Sequence, residues 1–166
     1  MVALPEAMEG KPRVVGILMA NELQYFVDTV EHAQHPFVAL LGGAKVSDKM
    51  HVIRHLMAKV DTILIGGAMS YTFLAAEGAE IGASLVEHDW LQEAKEILDI
   101  AAASPTELLL PCDHVCAEQI AHGTPVKVVS DSIPEGWMGL DIGTETQTLY
   151  SQKLLHAKTI LWNGPM

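Results

Sequence analysis

The run Phe37-Val-Ala-Leu-Leu41, closed by Gly42-Gly43, constrains this chain more than any other stretch. A segment so short and so uniformly apolar reads as a buried strand, not an amphipathic helix. Ala44 and Lys45 follow the glycines, and a helical pattern starts near Asp48. A strand that turns on glycines into a helix leaves bare backbone N–H groups that an anion can approach closely. Lys45 and Lys49 stand across that turn, two of the 10 basic residues in the chain. The turn therefore reads as a polyphosphate-binding corner; the plain alternative is an ordinary strand-to-helix connection with solvated lysines. Neither a Walker A loop nor the dinucleotide fingerprint fits, because Gly42 and Gly43 are adjacent and Lys45 precedes Val46.

The rest of the chain repeats this alternation. Val15 to Val30 places Leu18, Met19, Leu23, Phe26 and Val27 at helical steps. A second helix carries Ile53, Leu56, Met57 and Val60 on its apolar side. Asp61 to Ile65 is a strand ending in Gly66-Gly67, followed by a helical run over 69–76. Asp89 to Ala102 reads as a helix capped by Asp89, and Thr144 to Leu155 as another. Leu108 to Leu110, Val126 to Val129 and Thr159 to Trp162 read as strands. Uniformly apolar strands alternating with helices mean a parallel sheet covered on both faces. The expected fold class is α/β: a Rossmann-like three-layer α/β/α arrangement with a mainly parallel sheet, incomplete. In such sheets ligands bind beyond the carboxyl ends of the strands, where Gly42-Gly43, Gly66-Gly67 and Asn163-Gly164-Pro165 fall.

Composition narrows the partners. With 166 residues the chain makes about one domain. A 49% apolar and 19% charged composition is globular, and a net charge of −11 argues against nucleic acid or an anionic membrane as partner. No apolar run reaches the roughly 18 residues of a membrane span. The N-terminus lacks a signal-peptide pattern, and Cys112 and Cys116 give no disulfide framework, so a cytoplasmic location is expected.

Four motifs stand in an order that resembles the phosphoglycerate kinase family. They are Leu-Gly-Gly-Ala-Lys-Val-Ser-Asp-Lys over 41–49, Ile-Gly-Gly-Ala-Met over 65–69, Gly-Trp-Met-Gly-Leu-Asp-Ile-Gly over 136–143 and Trp-Asn-Gly-Pro over 162–165. The resemblance covers essentially the whole chain and implies the nucleotide-binding half of a two-domain kinase. It implies an irregular lead-in over 1–13, an interdomain-type helix over 14–34 and a partial nucleotide-binding domain over 35–166. It also implies phosphoryl transfer between 1,3-bisphosphoglycerate/ADP and 3-phosphoglycerate/ATP in glycolysis, with Mg2+ held through the nucleotide phosphates. Gly42, Gly43, Ala44 and Lys45 would line the phosphates, and Lys49 would reach the terminal one. Gly66 and Gly67 would pack on adenine with Gly139 and Leu140, and Asn163 and Pro165 would sit near phosphates and ribose. Lys45 and Lys49 are the expected catalytic residues.

The chain also departs from the family pattern. Ala68 replaces a glycine common in the family, and Arg13 and Arg54 match no motif for gripping 3-phosphoglycerate. The Gly-Gly-Gly-Asp-Thr loop that follows in the family does not occur before Met166. The expectation is a fragment, nearly inactive alone, of a monomeric parent, with open sheet edges that favour self-association. The alternative is a stand-alone, non-catalytic nucleotide-binding module. A less favoured third reading is an unrelated doubly wound domain for a dinucleotide or sugar phosphate.

Other residues receive plain readings. No metal ligands are expected: His51 and His55 lack the intervening Glu of a metalloprotease helix, and Cys112-Asp-His-Val-Cys116 has the wrong spacing for a zinc pair. The two cysteines are expected partly buried and unligated, and the remaining histidines on the surface. Asp48 is expected to cap its helix, Trp90 and Trp162 to lie in the core, and Trp137 to shape either a loop or the adenine pocket.

Overall fold

The computed structural model describes residues 7, 8, 10–12, 14–130 and 132–166; Arg13, noted above, and most of the expected lead-in over 1–13 lie outside the described residues. The chain divides into two compact units, Met1–Ala33 and Gln34–Met166. In the first, the helix α1 (Ile17–Glu31) leaves Leu18, Met19, Leu23 and Val27 of its expected apolar side exposed. The Phe26 side chain of that helix falls outside the described set.

The second unit is built on a four-stranded parallel sheet. Its strands are β1 (Phe37–Leu41), β2 (Thr62–Ile65), β3 (Glu107–Leu109) and β7 (Thr159–Asn163), in spatial order β3-β2-β1-β7. Every residue of β1 and β2 is buried, as their unbroken apolar runs require. Val38, Leu40 and Leu64 turn to one face, where Tyr150, Leu149 and Leu154 of α5 (Thr144–His156) cover them. By alternation Ala39, Leu41, Ile63 and Ile65 turn the other way. The helices α2 (Met50–Leu56), α3 (Ser70–Ala76) and α4 (Leu91–Ala102) bury Ile53, Phe73 and Ile97, and α4 packs on both α2 and α3. Each such side chain contributes about 1.5–3 kcal/mol on burial.

Three strands form a separate antiparallel sheet, which the alternation rule did not anticipate. They are β4 (Asp113–Ala117), β5 (Lys127–Ser130) and β6 (Met138–Ile142), in order β5-β4-β6. The strand expected at Val126 to Val129 belongs here and not to the parallel sheet. This sheet packs on α3 through Tyr71, Cys116 and Ile133.

Four smaller expectations need correcting. Asp89 does not cap α4: it sits inside a 3-10 turn, His88–Trp90, and Trp90 occupies the cap position without a side-chain bond. Trp162 is not core but 67% exposed, because β7 is an edge strand with only β1 beside it. Trp90 is half-buried. His114 is not on the surface; it is 3% exposed in β4, with its ring 5.4 Å from that of Tyr71.

Candidate functional site

Three loops meet beyond the carboxyl ends of β1, β2 and β7. Gly42 N–H donates to the Asn163 carbonyl (3.0 Å), Gly66 N–H to the Leu41 carbonyl (2.8 Å) and Met69 N–H to the Gly43 carbonyl (2.9 Å). The backbones approach so closely that side chains would collide. A Cβ on Gly67 would stand 2.6 Å from Gly43 N and 2.9 Å from the Pro165 carbonyl, and Gly67 already holds φ at +65°. A Cβ on Gly42 would strike the Pro165 carbonyl, and one on Gly66 the Met166 side chain. Gly42 and Gly67 are therefore required by backbone approach, whereas Gly43 has open space around it but holds φ at +124°, and Gly66 meets the flexible Met166 side chain. Ala68, the departure from the family pattern, packs beside Tyr71.

The loop after β1 keeps unused donors. Among the described residues no acceptor pairs with the N–H of Gly43, Ala44 or Lys45. Lys45 is exposed, and Lys49, half-buried, occupies the N-cap position of α2. Neither joins any of the three ion pairs found among the described residues, His35–Asp61, Arg54–Glu96 and Lys153–Glu107. Free amides and two uncommitted ammonium groups make a donor-only corner, suited to phosphate oxygens. Asp48 caps nothing here; the carboxylate serving this turn is Glu87, which accepts from Ser47 N–H (3.0 Å) and Ser47 hydroxyl (2.8 Å).

Gly42, Gly43, Ala44, Lys45, Gly66, Gly67 and Pro165 thus lie in three adjoining loops, with Asn163 at the end of β7 and Lys49 at the head of the helix that follows the first loop. Gly139 and Leu140 stand apart, on β6 of the antiparallel sheet. Gly139 adjoins Tyr71, whose helix follows Gly66-Gly67, and its N–H donates to Ser84 Oγ (2.9 Å). Leu140 lines a recess of about 270 Å³ with Ala117, Ile120, Thr124 and Val126. The hydroxyl of Thr124 is buried there without a partner. Trp137 lies under the Lys127 ammonium, 3.7 Å from its ring centroid, and packs against the Tyr71 cluster.

Several supporting residues were missed in the sequence. Tyr150 hydroxyl lies 2.7 Å from the Ile65 carbonyl and 3.0 Å from that of Leu109, fixing the ends of β2 and β3. Burial pushes its pKa far above the ordinary value. Asp113, buried, accepts from Glu145 N–H (2.9 Å), Thr146 N–H (2.8 Å) and Thr146 hydroxyl (2.6 Å) at the start of α5. Burial works to raise its pKa, but those bonds and neighbouring His114 hold it below the usual value. Burial lowers the pKa of His114, against a smaller opposing effect of Asp113. Cys112 is exposed and Cys116 buried; both are free thiols, and no group of three His, Cys, Asp or Glu residues able to hold a metal occurs among the described residues.

A parallel sheet covered by helices, with donor-lined loops at the carboxyl ends of its strands, defines an α/β protein of the class that binds ligands beyond its strand ends. The sequence model for phosphoglycerate kinase matches residues 1–166, and the chain belongs to that family. It is similar to "Phosphoglycerate kinase" of Clostridium novyi (strain NT), 54% identical over 152 residues, covering 91% of this chain and 38% of that protein. The protein of the same name from Rhodopirellula baltica is 51% identical over 169 residues, covering 100% of this chain and 42% of the relative. The structure of phosphoglycerate kinase from Coxiella burnetii superposes with a TM-score of 0.86 at 36% identity, over 90% of this chain and 39% of that one. The Pyrococcus horikoshii OT3 enzyme gives 0.76 at 25% identity, over 94% and 40%. The chain therefore spans about two fifths of the length of the relatives it matches. No described helix is long and apolar enough to cross a membrane.

Proposed function

We propose that the corner formed by Gly42–Lys49, Gly66-Gly67 and Asn163–Pro165 binds the phosphates of an adenine nucleotide. On this reading the chain supplies the nucleotide-binding part of phosphoryl transfer between 1,3-bisphosphoglycerate/ADP and 3-phosphoglycerate/ATP, in the cytoplasm. Residues 14–34 then serve as the connection to the half that would bind 3-phosphoglycerate. The observation carrying this reading is the set of unused N–H groups at Gly43, Ala44 and Lys45 beside two lysines that make no ion pair.

The chemistry suits such a site. A carboxylate acceptor is already ionised at neutral pH, so transfer to it needs no general base. Charge must instead be neutralised and the phosphates held in line. Amides at Gly43–Lys45 and the ammonium of Lys45 would grip the bound phosphates, and Lys49 would meet the charge on the transferred group. Magnesium carried on the nucleotide would supply further neutralisation. The corner's donors fit phosphate oxygens and not the ion itself, which is why the phosphates would carry it. The apolar recess beside Leu140 lies near Gly139 and suits a flat base, with the Thr124 hydroxyl as a polar contact.

Calorimetry tests the reading. The chain is expected to bind Mg–ADP and not NAD, and Lys45→Ala and Lys49→Ala are each expected to weaken Mg–ADP binding by about tenfold or more. Unchanged affinity in both variants would remove the corner from nucleotide binding. A reading frame confined to these residues would favour the non-catalytic module.

A further inference from the structure

Glu87 is not among the groups aimed at phosphate, yet it holds the turn on which they stand. It follows α3 in the chain, and its carboxylate reaches back to the turn between Lys45 and α2. There Oε2 accepts from Ser47 N–H at 3.0 Å and Oε1 from Ser47 hydroxyl at 2.8 Å. Its own N–H donates to Oγ1 of buried Thr72 on α3, at 3.2 Å. One residue thus ties the loop after β1, which carries Gly42-Gly43, to the helix that follows Gly66-Gly67.

The electrostatics agree with a clamp. Burial works to raise the Glu87 pKa, but bonds from Ser47's amide and hydroxyl, from Val46's amide and the charge of Lys45 lower it overall. The carboxylate therefore stays ionised at neutral pH and occupies the Val46 and Ser47 end of the turn. The amides of Gly43, Ala44 and Lys45, upstream of it, remain unpaired. A loop whose far end is anchored does not have to order itself when an anion arrives, and that entropy is saved from the binding free energy.

We infer that Glu87 is a positioning residue, a carboxylate that fixes the Lys45–Lys49 turn so that its upstream amides and lysines face the phosphates of a nucleotide. The inference rests on the nucleotide reading above. It makes a discriminating demand: Glu87 must matter for the phosphates and not for the base.

The test compares Mg–ADP with adenosine, which lacks phosphates, by calorimetry on this chain and its Glu87→Ala and Glu87→Gln variants. Glu87→Ala is expected to weaken Mg–ADP by about tenfold while leaving adenosine within about twofold. Glu87→Gln retains an acceptor for Ser47 N–H without the charge and is expected to fall between; it also serves if the alanine variant does not fold. In the ligand-free protein the Ser47 amide is expected to exchange faster with solvent in both variants. Equal Mg–ADP affinity in wild type and variants, equal weakening of both ligands, or unchanged Ser47 exchange overturns the positioning role. If the wild type binds no Mg–ADP, the nucleotide reading fails and this role fails with it.

Discussion

In the parallel sheet, β1 and β2 are buried along their whole length, whereas in the antiparallel sheet β5 alternates half-buried and exposed residues and β6 leaves Leu140 and Asp141 exposed. The difference follows from position as well as cover: β1 and β2 are inner strands, β5 and β6 are the edges of their sheet, and the inner β4 is buried at Asp113, His114, Cys116 and Ala117. Helices stand on both faces of the parallel sheet, while an antiparallel one can keep a face to solvent. The parallel sheet brings three loop ends into backbone contact and makes a rigid donor corner. The antiparallel sheet contributes Gly139, packed on Tyr71, and an open apolar recess. On the proposed reading, phosphates and a base make two different demands, for fixed donors and for a shallow apolar surface, and each sheet would meet one.

Matched truncations break this contrast most directly. Ile63 in β2 is 0% exposed and Val128 in β5 is 53% exposed. Ile63→Ala is expected to cost about 3–4 kcal/mol, because it opens a cavity in a packed core. Val128→Ala is expected to cost about 0.5 kcal/mol, as surface changes do. Urea unfolding of the two variants checks this, and similar losses would mean that β2 and β5 are equally packed.

The next effect concerns the joint between the sheets. Asp113 begins β4 and, through Glu145 and Thr146, caps α5, the helix that covers the parallel sheet. Asp113→Ala is expected to cost about 2–3 kcal/mol, since it strips a cap and strands buried donors. Asp113→Asn retains an acceptor and is expected to lose less. Loss of a single cooperative transition in the alanine variant would sharpen the contrast, showing that this cap couples the two regions.

The smallest effect is a slope in pH. His114 lies in the antiparallel sheet with its pKa below the ordinary 6.5, chiefly through burial, so protonation favours the unfolded chain. Stability is therefore expected to fall as pH drops below about 6.5, until the folded-state value is passed. The lowered carboxylates Asp113, Glu87 and Asp61 act in a lower window, their contribution present above about pH 4 and lost as pH falls through their folded values. Thermal melts of His114→Phe, which keeps a ring against Tyr71, are expected to lose the upper slope and keep the lower one.

The legibility of the sequence tracks the same division. β1 and β2 were readable because burial on both faces demands unbroken apolar runs ended by glycine. β4 and β6 were not, because Asp113-His-Val-Cys-Ala117 and Met138-Gly-Leu-Asp-Ile142 mix polar and small residues. His114 was misread as surface for that reason: nothing local marks a polar strand residue as buried under Tyr71. The paired glycines and lysines of the corner were visible as spacing in one stretch. Glu87, Tyr150 and Asp113 were not, because each acts across 30 or more residues of chain, 40, 85 and 33 respectively. β7 was apolar enough to be taken as core, and only the strand order reveals that it is an edge.

The central claim is that phosphate is held by the amides of Gly43–Lys45 and the lysines beside them. A crystal of the chain soaked with magnesium and a non-hydrolysable ATP analogue tests it most directly. Phosphate oxygens are expected within about 2.7–3.2 Å of those amides, with the Lys49 ammonium at the terminal phosphate. Nucleotide bound at another place, with this corner holding only solvent, would contradict the account.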